Sequence, residues 1–473
     1  MPRECFASRA RGRYATEYMN APAPPAAKLV SGSIPRHLVN QTLPAVIGVA
    51  AIMSIGIVDA YFIGQLGSAP LAAISFIFPV AVASTSLGVG VMVGINSVVA
   101  RALGEGNHEN AARRANFGIV FAALIGLLMG LALWLAIDLI FAAMNAPAHL
   151  MPLIRAYMTP YAAGFPLNLA IMGFNGVLRG QGEAKRTSTV SIAYAAANWV
   201  LNPILITGAF GFEGFGIAGS AYATVIGWGI GVLVALALLR GTSLPFNPGR
   251  LRNCDLIDPA RAIIKVGLPA AFSNAINPLG LSILTALVAL EGEAAVAGFG
   301  AAGRLQSFVI VPSLGLSGAI GAIVGQNWGA RRFDRAREAA LWAAGFCIVW
   351  GLLVAGAMMA AGRSFATVFT DDPAVIAEFS RYLQIAAWGY AGFGLLIVGN
   401  GIMNAVDKAS LALLQSVARV FCVMLPTALL LQPAMGSSAI YTAELAANLF
   451  GAVSAVVLVR HVFVQKQPAW APR

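Results

Sequence analysis

Val58-Asp59-Ala60-Tyr61-Phe62-Ile63-Gly64-Gln65-Leu66-Gly67 closes the first long apolar run of the chain, which begins near Leu38. The run passes through Leu43-Pro44-Ala45-Val46-Ile47-Gly48 and Ile55-Gly56-Ile57 before it meets Asp59. About 20 such residues, wound as a helix, cross the hydrocarbon of a bilayer. No water is present there to satisfy backbone groups, so a helix or a closed barrel is required. A carboxylate in such a run costs ~2.5–3.5 kcal/mol even on insertion scales, which marks Asp59 as a functional candidate. The plainer alternative is an aspartate at a helix end that reaches the headgroups, since Gly64 and Gly67 follow closely.

The same pattern recurs along the chain. Of 473 residues, 59% are hydrophobic and 10% charged, against about 25% charged in soluble domains. Twelve apolar spans are expected, at 38–64, 70–99, 115–142, 152–178, 187–208, 216–240, 262–289, 295–323, 339–361, 380–403, 410–431 and 437–463. They predict an all-α polytopic membrane protein, since a barrel needs short alternating segments instead. A net charge of +11 would suggest nucleic acid in a soluble protein. Here the basic residues cluster after even-numbered spans, for example Arg113, Arg114, Arg179, Lys185, Arg250 and Arg335. By the positive-inside rule both termini are cytoplasmic, in the plasma membrane (a bacterial inner membrane). Residues 1–36, with Ala-Pro-Ala-Pro-Pro at 21–25, read as a disordered cytoplasmic tail, with Met19 as an alternative start. No signal-peptide pattern precedes the first span.

The chain also repeats. Leu43-Pro44-Ala45 recurs as Leu268-Pro269-Ala270, Gly67 as Gly292, Gly104 as Gly329, and Asn175-Gly176 as Asn400-Gly401, all at one constant offset. The expected organisation is an N-lobe at 37–240 (helices 1–6), a cytoplasmic linker at 241–261, a C-lobe at 262–464 (helices 7–12) and a tail at 465–473. An even number of spans per half makes the repeats parallel, two pseudo-symmetric six-helix lobes around a central cleft. Rocking of such lobes gives alternating access.

Several strings together resemble the multidrug and toxic compound extrusion (MATE) transporters over about residues 31–463. They are Gly32-Ser33-Ile34-Pro35-Arg36-His37-Leu38, Leu43-Pro44-Ala45, Val58-Asp59, Asn175-Gly176-Val177-Leu178-Arg179-Gly180-Gln181-Gly182, Gly216-Ile217-Ala218-Gly219-Ser220 and Gly325-Gln326-Asn327-Trp328-Gly329. The resemblance implies an antiporter exporting cationic or amphipathic compounds against inward H+ or Na+. The chain is most similar to the branch of DNA-damage-inducible protein F and archaeal members. That likeness implies an ion or proton coupling site at Asp59, Asn175, Asn198 and Thr224. A second aspartate of that pattern is Asn202 here, which removes one negative charge and weakens a sodium cage. The other branch carries acids on spans 7 and 10, where this chain has Asn274, Asn277 and Asn400.

The residues support the same reading independently. The repeat places Leu284 opposite Asp59, so one lobe carries an acid that the other lacks. Burial disfavours a carboxylate's charged form, so a buried Asp59 can take up a proton on one side and release it on the other. Asn198 and Asn202, four apart, share one helix face, and Pro203 frees a backbone carbonyl one turn earlier. The plain alternative for these amides and Thr224 is glue between helices. Pro44 shares the helix of Asp59 and is a candidate hinge. Arg419 and Glu444, inside spans 11 and 12, are expected to pair. Tyr161, Met172, Tyr194, Trp199 and Phe272 are the candidate cleft wall, through ring faces and soft contacts.

No cofactor is expected beyond H+ or Na+ as the coupling ion. The cysteines and histidines show no metal spacing, so Na+ at the coupling site is the only candidate metal. The chain holds no Gly-x-x-x-x-Gly-Lys-Ser/Thr loop, so no nucleotide is expected to power it. The expected partners are small-molecule substrates and membrane lipids, with no nucleic acid. The spans lack the residue sets of an intramembrane enzyme. A lipid-linked precursor flippase of the same two-lobe plan is the alternative, and it would call for a strongly basic cleft.

Overall fold

The computed structural model describes residues 27–208, 211, 213–251, 256–369 and 371–465. Twelve membrane-length helices carry the fold: α1 (Ile34–Gly64), α2 (Ser68–Gly104), α3 (His108–Ala143), α4 (Ala148–Gly180), α5 (Ala184–Ile206), α6 (Ile217–Arg240), α7 (Ile257–Glu291), α8 (Glu293–Gly329), α9 (Phe333–Ala360), α10 (Pro373–Ala405), α11 (Ala409–Met435) and α12 (Ser437–Val464). No strand occurs among the described residues.

Several helices reach past their apolar windows because the loops between them are short. Asn107, last in the Glu105-Gly106-Asn107 turn between α2 and α3, accepts from the Asn110 N–H at 3.0 Å and starts α3 at His108. This satisfies one of the orphan donors of a helix start. At α7 the helix begins at Ile257, inside the expected linker, because Asp258 and Pro259 occupy its first turn. An acid there complements the helix dipole, and proline's missing N–H costs nothing. Irregularities fall beside prolines. The α8 helix changes register at Ile310 ahead of Pro312, and α11 winds as a π-helix over Ala418–Met424, ahead of Pro426.

Two apolar cores fill the two halves. One is built around Tyr161, Phe165 and Trp228, the other around Phe299, Tyr382 and Tyr441. The halves meet where α1 packs on α8 and α2 packs on both α7 and α8. Two glycines related by the repeat face one another's helices there. A Cβ on Gly104 would stand 2.0 Å from the Gln326 carbonyl oxygen, and one on Gly329 would stand 2.2 Å from that of Arg101. Only glycine permits this approach. Hydrogen bonds seal the same end: Ser97 Oγ donates to the Asn404 carbonyl at 2.6 Å and Arg101 Nη1 to that of Ala405 at 2.9 Å.

The expected tail at 1–36 needs correction. Helix α1 already begins at Ile34, and residues 27–33 are seated on the protein. Leu29 is buried. Its N–H donates to Gln326 Oε1 at 3.1 Å, and its carbonyl accepts from Asn327 Nδ2 at 3.0 Å. Lys28 pairs with Glu183 at the α4–α5 turn. An apolar leucine with a satisfied backbone is held, despite the polar tract before it. Residues 1–26 and 466–473, with Met19 among them, lie outside the described residues.

Candidate functional site

Helix α1 brings Asp59 to within five residues of its end at Gly64, about 7 Å along the axis at 1.5 Å per residue. The carboxylate is half-buried and faces α5, where Asn202 Nδ2 donates to Asp59 Oδ1. Asn202 Nδ2 also donates to Asn198 Oδ1 at 3.0 Å, and Asn198 Nδ2 donates to Thr224 Oγ1 of α6 at 3.1 Å. Asn198 and Asn202 are fully buried. The structure therefore joins four of the five expected coupling residues in one chain across α1, α5 and α6. Both amide hydrogens of Asn202 are used, while its Oδ1 is buried without a partner. A buried acceptor left unmade is costly, so it marks a place where a donor or a cation is welcome.

Two further residues flank this chain that the residue pattern alone did not single out. Ser220 lies beside Asp59, with its Oγ buried. It stands four residues before Thr224, on the same face of α6, and that spacing is a usable signal. Tyr157 of α4 lies near both Asp59 and Ser220. It stacks on Tyr161 at 5.9 Å, and Tyr161 meets Trp228 edge-on at 5.3 Å.

Trp228 opens onto a cavity of about 430 Å³ between the halves. Its wall comes from α1, α2, α4, α5 and α6 on one side and from α7, α8 and α10 on the other. Met172 and Tyr194 line it as expected positions of the cleft. Asn175 also lines it, with its Oδ1 buried and unpartnered, and shares no hydrogen bond with the Asp59 chain among the described residues. Tyr161 sits behind the wall, packed on Trp228. Trp199 and Phe272 are corrections: they are 38% and 51% exposed and off the wall. On α7, Ser273 and Asn274 take the inward face instead, which turns Phe272 outward.

Pro44 lies within an unbroken α1, and its carbonyl accepts from Ser188 Oγ of α5. Arg179, counted among the loop charges in the sequence, instead occupies the last turn of α4 and lines the cavity.

The second half holds its own buried polar network. Glu444 of α12 accepts from Gln306 Nε2 at 2.5 Å and from the Tyr382 hydroxyl at 3.0 Å. Arg419, in the π-helical turns of α11, donates to Asn277 Oδ1 at 2.9 Å and to Asn448 Oδ1 at 2.7 Å. Its guanidinium also lies over the Phe393 ring, 4.8 Å from the centroid. The expected direct pair of Arg419 with Glu444 is thus corrected. Asn448, one turn beyond Glu444 on the same face, intercepts the guanidinium. No cluster of His, Cys, Asp or Glu able to hold a metal occurs among the described residues.

Comparison with known proteins gives this architecture its relatives. The MatE family model matches residues 44–204 and 269–430, two segments that open on Pro44 and Pro269, a pair the repeat already relates. A Shewanella oneidensis protein named as an FAD transporter is 31% identical over 407 residues, covering 85% of this chain and 89% of that one. A probable multidrug resistance protein NorM of Deinococcus radiodurans is 29% identical over 392 residues, covering 80% and 84%. The crystal structure of a mutant of the Vibrio cholerae MATE transporter VcmN superposes with a TM-score of 0.87 at 25% identity, covering 91% of this chain and 97% of that one. With its twelve helices, its inter-half cavity and a family match over most of its length, the chain belongs to the MATE family of multidrug efflux transporters.

Proposed function

We propose that the protein is a secondary active antiporter that exports small amphipathic organic molecules in exchange for inward H+, with Asp59 as the group that binds the ion. Na+ is the alternative ion. The supporting observation is the Asp59–Asn202 contact, in which every partner is neutral and one acceptor is spare. A charged Asp59 takes a hydrogen bond from the Asn202 amide nitrogen. A protonated Asp59 is itself a donor and needs an oxygen. Half a turn of the Asn202 amide supplies its Oδ1 and breaks the bond to Asn198. Protonation thus resets the contacts of α1 with α5 and α6. Because α1 also forms cavity wall at Val49, Ile52 and Met53 and packs on α8, the reset reaches the substrate space and the other half.

The sealed end carries the basic loops, which the positive-inside rule assigns to the cytoplasm. On that assignment the sealed end faces the cytoplasm, which supports the reading of a multi-pass inner-membrane protein with cytoplasmic termini. One proton moving down one pH unit releases ~1.4 kcal/mol, enough for about a tenfold gradient of a monovalent cation in one-for-one exchange. For a cationic substrate, the wall offers ring faces such as Tyr194, Trp228 and Phe393 but no Asp or Glu among its described residues. The relative named as an FAD transporter supports the broader amphipathic class. The flippase reading calls for a strongly basic cleft, and the wall holds one arginine.

The test is dye transport in proteoliposomes under an imposed pH or sodium gradient, wild type against Asp59→Asn. The expected result is pH-driven transport by the wild type and its loss in the variant. Equal transport by both removes Asp59 from the mechanism.

A further inference from the structure

We infer that the central cavity carries an anion subsite at Arg179 and accepts planar, amphipathic molecules that bear a phosphate or carboxylate. This names a substrate class for the export reading above and rests on that reading only for transport, not for binding.

The argument starts from charge. Arg179 is the sole charged residue among the described residues of the cavity wall. The other inward-turned arginines are engaged. Arg101 donates to Ser97 and the Ala405 carbonyl, Arg186 to the Leu238 carbonyl, and Arg419 to Asn277 and Asn448. Arg179 has no hydrogen-bond or ion-pair partner among the described residues, and its Nε is buried. A half-buried guanidinium whose Nε is shut off from water, with no acid beside it, gains from an anion or a polar guest.

The surroundings are shaped for it. A Cβ on Gly318 would stand 2.7 Å from Arg179 Nη1, so the glycine of α8 leaves the guanidinium its place. The repeat sets Asn404 at the matching position of the opposite wall. The cavity therefore has one positive pole and no negative one. Around the same wall, Asn96, Asn175, Asn400 and Asn404 each hold a buried Oδ1 without a partner. Such acceptors suit a guest with hydroxyl or ring N–H donors next to its acidic group. Trp228 and Phe393 supply flat apolar surface for its ring. A guanidinium binds phosphate or carboxylate through two parallel N–H···O bonds, and amides complete the contact. The ring surface favours a soluble, planar-headed anion over a lipid phosphate.

The test compares two probes that differ by one phosphate. Purified full-length protein is titrated with flavin mononucleotide and with riboflavin, each followed by its fluorescence. The expected result is that the wild type binds the phosphorylated probe roughly tenfold or more tighter. Arg179→Gln should bring the two within about threefold of each other, and Arg179→Lys should keep part of the difference. Asn404→Asp, which adds a negative charge to the facing wall, should weaken the mononucleotide severalfold more than riboflavin. It serves if Arg179→Gln does not fold. Equal binding of both probes by the wild type overturns the inference, as does full discrimination in Arg179→Gln. Displacement by a polyprenyl phosphate at far lower concentration than by the mononucleotide overturns it in favour of a lipid ligand. The titration uses no ion gradient, so it can succeed or fail independently of the proteoliposome result that tests Asp59.

Discussion

Each half of the molecule buries an acid, and the two are held in opposite ways. Asp59 is half-buried and touches only neutral groups, beginning with the Asn202 amide. Glu444 is almost wholly buried, grips two donors, and lies within the electrostatic reach of Arg419. The equivalence runs through Tyr157 and Tyr382, which the repeat relates and which sit beside Asp59 and Glu444 respectively. Beside these paired tyrosines the two halves place their acids on different helices, Asp59 on α1 with an uncompensated charge and Glu444 on α12 with an arginine in its field. An uncompensated carboxylate can change protonation state at small cost to the fold. Glu444, held by hydrogen bonds from Gln306 and Tyr382 and with Arg419 in its field, is fixed in place by partners that Asp59 lacks. The comparison assigns switching to the first half and bracing to the second.

The largest effect should come from unbalancing the brace. Arg419→Met leaves Glu444 without its counter-charge and should cost about 3–5 kcal/mol, read as a fall in unfolding temperature in detergent. If stability is unchanged, Glu444 is not a brace and the comparison fails. Next, Asn202→Asp places a second carboxylate against Asp59. Transport should become sodium-dependent, with roughly tenfold or greater stimulation by Na+, because two carboxylates cage a cation where one does not. No change with sodium would show that the neutral amide is not what sets the ion. Third, Asn198→Ala cuts the chain between Asn202 and Thr224 and leaves polar groups unmade, at about 1–3 kcal/mol. Coupled transport should fall severalfold while the second half keeps its stability. The smallest effect on transport should be Leu29→Ala at the sealed end, about 2 kcal/mol against the closed arrangement. It should raise the reactivity of a cysteine probe placed near Gly329.

Much of this is legible in the sequence because it depends on spacing. The repeat offset needs only paired landmarks, and it locates the glycines that meet at Gly104 and Gly329. Asn198 and Asn202 stand out by their four-residue separation, and Asp59 by being an acid in an apolar run. What escapes depends on side-chain direction. Arg179 ends a span and carries a loop-like charge, yet its side chain lines the cavity, and composition cannot tell which way a last helical turn faces. Arg419 and Glu444 read as two charges in facing spans, but Asn448 is the nearer acceptor. Trp199 and Phe272 are aromatic residues whose neighbours, Asn198 and Ser273, hold the inward face. Tyr157 needs the repeat to be carried to individual side chains, since only its match to Tyr382 gives it meaning.

The central claim is that Asp59, and not Glu444, gains and loses the proton. Infrared difference spectroscopy of the purified protein between acidic and alkaline buffer reads carboxyl protonation directly. The account predicts a protonated-carboxyl band that disappears as pH rises, is absent in Asp59→Asn and persists in Glu444→Gln. A band that survives Asp59→Asn and vanishes in Glu444→Gln would contradict it.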